Sequence, residues 1–72
     1  MTNRTNAIYS IELMPARGGW VWGIDREAAA GRGAGIPVRI LDSDEVFASA
    51  AEAAAAAERR INEIRARESA AA

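Results

Sequence analysis

Three carboxylates, Asp42, Asp44 and Glu45, fall within four residues, and three glycines, Gly31, Gly33 and Gly35, alternate a short way before them. Carboxylates so grouped suit a hard divalent cation, and alternating glycines suit a loop whose backbone cradles phosphate. Neither pattern is complete. A calcium loop needs further ligands and a glycine at fixed spacing. The dinucleotide fingerprint needs glycine in the place held by Ile36, and no Lys-Ser or Lys-Thr pair follows for a nucleotide P-loop. A strand pattern follows the glycines, so no helix N-terminus waits there for an anion. The carboxylates read better as a solvated turn and the glycines as a hairpin loop. No metal site and no cofactor site is expected.

A third group is aromatic. Tyr9, Trp20 and Trp22 fall on one side of two alternating segments, with Arg17, Arg26 and Arg39 expected nearby. Aromatic rings beside guanidinium groups hold single-stranded nucleic acid, each stacked base contributing roughly 1–3 kcal/mol. The competing reading makes the same rings the core beneath a helix, because Ile11, Leu13 and Ile24 share their face. The core is the preferred reading, and nucleic-acid binding is the alternative function.

Composition removes most other chemistry. The 72 residues include no His and no Cys. Cys/His zinc sites, thiol nucleophiles, disulfides and Ser-His-Asp triads are therefore impossible within one chain. Paired carboxylates for acid–base work would need a deep pocket, which one sheet-helix layer rarely encloses. No catalytic residue is assigned, and the chain reads as a non-enzyme. Its nine basic residues are all Arg, and the net charge is −1 with a pI near 5.3. That balance is unlike the concentrated basic surface of a dedicated nucleic-acid binder. Ala53–Ala57 is too short and too weakly apolar to span a membrane, and no signal-peptide pattern is present. A cytoplasmic bacterial protein, with no membrane partner, is the expectation.

The elements that must position these groups follow from periodicity. Residues 1–6 read as a loose tail. Ala7–Leu13 alternates, with Tyr9, Ile11 and Leu13 on one side. Pro15–Gly19 is turn chemistry. Trp20–Asp25 alternates again. An antiparallel hairpin is expected, setting Leu13 opposite Trp20, Ile11 opposite Trp22 and Tyr9 opposite Ile24. Residues 26–35 read as a flexible connection. Ile36–Leu41 is a third strand, with Ile36, Val38 and Ile40 on one face and Arg39 and Leu41 on the other. Glu45–Ala48 is a candidate fourth strand carrying Phe47. Ser49-Ala-Ala-Glu52 has capping-box spacing and opens a helix to about Glu68. Ala50, Ala54, Ala57, Ile61 and Ile64 make its apolar stripe. Arg59–Glu63 and Glu63–Arg67 are its expected ion pairs, and residues 69–72 are expected to fray.

The fold class is therefore α+β. A three- or four-stranded antiparallel meander over residues 7–68 carries one C-terminal helix on one sheet face. Half of the residues are hydrophobic by type, but 18 of those 36 are Ala. So thin a core places the domain near the lower limit for folding alone. The uncovered face, with Ile8, Ser10, Glu12, Val21, Arg39 and Leu41, is the expected partner face. The partner is a second copy or another protein, reached through that face or through an edge strand.

The same order carries a resemblance. Ile8-Tyr-Ser-Ile11, Gly19-Trp20 and Ser49-Ala-Ala-Glu-Ala53, with Ala57 and Ile61, resemble the small HicB-like antitoxin domains. The chain is similar as well to small bacterial proteins of uncharacterised role that end in a Phe-x-Ser-x-x-Glu-Ala helix. Its meander-plus-helix order resembles the Whirly-like single-stranded-DNA-binding fold. The first resemblance implies an interaction domain with a small protein partner, and the last a nucleic-acid ligand. None of them supplies a catalytic residue.

Overall fold

A computed structural model describes residues 8–27 and 36–71. The N-terminal segment 1–7, the connection 28–35 with its three glycines, and Ala72 lie outside the described residues. The order is β1 (Ile8–Ala16), β2 (Gly19–Glu27), β3 (Val38–Asp42) and α1 (Ala50–Ala71). The sheet runs β1-β2-β3 with both pairings antiparallel. This is the expected open meander with one helix packed on it.

Alternating apolar residues put Tyr9, Ile11 and Leu13 of β1 on the same side as Trp20, Trp22 and Ile24 of β2. All six belong to the core or pack against it. The register differs from expectation by two residues. Leu13 faces Trp22, Ile11 faces Ile24, Tyr9 faces Arg26, and Pro15 faces Trp20 within the ladder. The turn is only Arg17-Gly18, not the whole Pro15–Gly19 cluster. Pro15 is accommodated because β1 is an edge strand, where a missing N–H is tolerated. A slip of two leaves every side chain on its face, so the core composition is unchanged. Gly18 has φ +91°, a conformation that glycine adopts without strain.

The fourth strand reduces to one bridge, Trp20 with Phe47. Trp20 N–H donates to Phe47 O (2.8 Å) and Phe47 N–H donates to Trp20 O (2.7 Å). Gly19 makes this approach possible. Its φ is +156°, and a Cβ there would overlap the Phe47 carbonyl oxygen.

The helix starts as its cap dictates. Glu52 N–H donates to Ser49 Oγ at 3.1 Å, which satisfies one of the first-turn donors. The helix continues through Ala71, beyond the expected end, because Ser69, Ala70 and Ala71 bring no breaker and Ala carries the highest helix propensity. Its buried line is Ala53, Ala57 and Ile61, spaced by four, so Ala53 takes the place expected for Ala54 while Ala57 and Ile61 fall where expected. These two Ala let the helix lie close over Trp22 and Ile24, which complete the buried core. Glu63 pairs with Arg60 at 2.9 Å rather than with Arg59 or Arg67.

The helix crosses β1 and β2 and does not reach β3. Ile36, Val38 and Ile40 are consequently 80%, 58% and 39% exposed, although their spacing reads as a core face. A register shift between Ile24 and Asp25 marks a bulge in β3: Ile24 faces Leu41, and Asp25 faces Arg39. One extra residue, Ile40, thus lies between the two pairs.

Candidate interaction surface

The bulge decides what the uncovered sheet face contains. In a regular strand Arg39 and Leu41 would share a face, as expected from the sequence. With Ile40 inserted they part. Arg39 stays on the uncovered face, and Leu41 packs against the core, so Leu41 is removed from the partner face. Asp42, three residues from Arg39, is carried onto the same side as Arg39, and the two side chains meet at 2.7 Å.

Arg39 is the centre of that face. Its Nε donates to Asp25 Oδ1 at 2.6 Å, its Nη1 to Asp42 Oδ1, and its Nη2 to Glu12 Oε1. Glu12 sits on β1, Asp25 on β2 and Asp42 on β3, so one guanidinium ties all three strands. Gly23 allows this. It is buried beneath Arg39, and a Cβ there would collide with the guanidinium. The hydrogen bonds to Asp25 and then to Asp42 hold Arg39 above its ordinary pKa range, so it is charged at any pH at which proteins fold. The partner-face residues Glu12 and Arg39 are therefore brought together. Ile8, Ser10 and Val21 lie around them on the same side by register, and three carboxylates surround one cation.

The acidic turn after β3 is held by Ser43. Trp22 N–H donates to Ser43 Oγ (3.2 Å), Ser43 N–H donates to Trp22 O (2.9 Å), and Ser43 Oγ–H donates to Glu45 O (3.0 Å). Among the described residues no carboxylate group is arranged to hold a metal ion.

The aromatic residues lie on the other side. Trp22 is 7% exposed beneath the helix, and Trp20 packs against the same core. Tyr9 stands at the margin, where its hydroxyl donates to Glu68 Oε2 at 2.6 Å and Arg65 lies 5.2 Å from its ring centre. The phenol pKa is raised above its usual 10.0, first by burial and then by Glu68, against a lowering pull from Arg26. The three arginines of the alternative nucleic-acid face do not converge. Arg17 is in the turn, Arg26 approaches Glu68 at 3.8 Å on the helix side, and Arg39 is on the opposite face. A base could not stack on Trp22 without displacing the helix.

The remaining surface with a distinct chemistry is the edge of β3. It was not visible as such in the sequence, where Ile36, Val38 and Ile40 read as covered. The chain matches no known family model, no characterised protein and no solved structure. Among the described residues no helix is long and apolar enough to cross a membrane.

Proposed function

We propose that the chain is a non-catalytic protein-interaction domain that docks its partner along β3, and that a HicB-like antitoxin domain is one form such a protein takes. One observation carries the reading. The helix covers two strands of three and leaves Val38 and Ile40 of β3, with Ile36 just before it, in solvent, and among the described residues no strand pairs with the outer edge of β3. An exposed sheet edge offers a row of N–H and C=O groups to an incoming strand, and flanking apolar side chains add affinity. The uncovered face supports the reading by contrast. Its centre is already occupied by the Arg39 ion pairs, and exposed ion pairs of this kind add little affinity.

The test is a photo-reactive side chain placed at Val38 and, as control, at Arg59 on the exposed helix face, each in the native cell. A defined adduct from Val38 is expected, competed by excess wild-type chain and absent from Arg59. Absence of any Val38 adduct from a folded, expressed chain contradicts the reading.

A further inference from the structure

We infer that the outer edge of β3 pairs with the β3 edge of a second copy, antiparallel, about a two-fold axis at Val38. The inference rests on the interaction reading above and names its partner.

The order of side chains is what selects a copy of the same chain. Ile36-Pro-Val-Arg-Ile40 reads apolar-x-apolar-x-apolar in both directions. Turned antiparallel about Val38, it sets Ile36 opposite the second copy's Ile40, Val38 opposite its counterpart, and Ile40 opposite Ile36. Directly opposed residues lie on the same face of a sheet, so the Val38 pair is apolar on the axis, flanked by Ile36 just before the strand and by Ile40 at the bulge. By register with Arg26, Val38 lies on the helix side, in the strip that the helix does not reach. Pairing there buries the three exposed apolar residues of each copy in one step.

The edge is guarded only at its start, by Pro37. Proteins commonly protect an exposed edge with a charge or a proline inside the strand. Pro37 precedes Val38–Asp42, which itself holds no proline, and the strand's one basic residue, Arg39, is drawn inward across Gly23 by Asp25, Asp42 and Glu12. The bulge is the remaining obstacle to pairing, and it falls at Ile40–Leu41, so the axis belongs at Val38 and not further along. The other edge is less suited. β1 carries Pro15 in its ladder and Glu12 at its middle.

Charge excludes the alternative of face-to-face pairing. Two uncovered faces would bring together two sets of three carboxylates around one guanidinium each. The β3 row carries no charge. Pro37 has no N–H, so each Pro37–Arg39 pair keeps at most the bond from the Arg39 N–H to the Pro37 carbonyl. The row is short, so the pairing is of the weak, reversible kind.

The purified full chain is tested by sedimentation velocity from about 5 to about 500 micromolar, the range appropriate to a small interface. A reversible monomer–dimer equilibrium is expected. Val38→Glu sets a charge against itself on the axis and raises the dissociation constant at least about tenfold, as like charges directly opposed destabilise a pair. Its far-UV circular dichroism is unchanged because Val38 is exposed. The chain has no cysteine, so Val38→Cys is the only thiol and forms a disulfide-linked dimer on mild oxidation, much faster than Ser10→Cys on the uncovered face. A wild-type chain monomeric throughout the range overturns the inference, as does cross-linking no faster from Val38→Cys than from Ser10→Cys. A monomer in solution whose Val38 adduct in cells is a different protein overturns the second copy alone and leaves the interaction reading standing.

Discussion

Arg39 lies over Gly23, and the absence of a side chain at Gly23 is what lets one guanidinium on β3 reach Glu12 on β1. The sheet is three strands wide, and this contact spans all of it.

Gly23→Ala is expected to destabilise the domain. Ala ordinarily gains roughly 0.5–1 kcal/mol over Gly inside a strand. Here its Cβ would displace a guanidinium held by three carboxylates. In an Arg39→Ala background the space is free, and the same substitution becomes stabilising. Urea unfolding of the four proteins measures the sign change as a double-mutant cycle. Equal effects in both backgrounds would show that the two residues are not coupled.

The single tyrosine makes a site-specific pH titration possible. Burial and then the Glu68 hydrogen bond raise the Tyr9 pKa. A pKa raised on folding means that the protonated form is favoured in the native state. Its stabilising contribution is complete below the unfolded value near 10.0 and is lost as pH rises through the folded value. Absorbance at the tyrosinate band is expected to titrate above 10.0 in the folded chain, and Glu68→Gln to bring the midpoint down. A native midpoint at or below 10.0 would contradict this placement of Tyr9.

Gly19→Ala is expected to cost roughly 1–3 kcal/mol, the range for a residue forced into a sparsely populated conformation. The same Cβ would overlap the Phe47 carbonyl, so the Trp20–Phe47 bridge is lost with it. A red shift of tryptophan emission should accompany the lower urea midpoint. Retention of the wild-type midpoint would show that the chain reaches Phe47 by another path.

Ser49→Ala removes the acceptor for Glu52 N–H and is expected to cost about 1 kcal/mol, while Ser49→Asp preserves it. Ala57→Leu should cost more, roughly 1–3 kcal/mol, because Ala57 is fully buried between the helix and the sheet. Thermal unfolding orders the three variants. An Ala57→Leu chain as stable as wild type would mean that the helix can stand off without loss.

Side-chain faces were legible because a period of two does not depend on how strands are paired. Tyr9, Ile11, Leu13, Trp20, Trp22 and Ile24 therefore fell on the correct side even though the expected register was two residues out. The register itself depends on turn length, and nothing local distinguishes a two-residue turn at Arg17-Gly18 from a wider one ending at Gly19. The helix start was legible from Ser49 and Glu52, whose chemistry is local. The bulge at Ile40 was not, because its one trace is the adjacent apolar pair Ile40-Leu41, which a strand ending at Leu41 explains equally well. With it went Leu41's true face and Asp42's place beside Arg39. Nor does periodicity reveal how many strands one helix covers, which is why Ile36 and Val38 read as core. The signal that could have located the Arg39 site was Gly23, a glycine inside an apolar strand pattern, which often marks a close approach by another group.

Amide hydrogen exchange followed at several chain concentrations tests the interaction edge most directly. Protection within Val38–Asp42 should rise with concentration, while β1 amides such as those of Ser10 and Glu12 exchange at a constant rate. Exchange in β3 that is the same at every concentration, or concentration-dependent protection on β1 instead, would contradict β3 as the surface through which two copies of this chain associate.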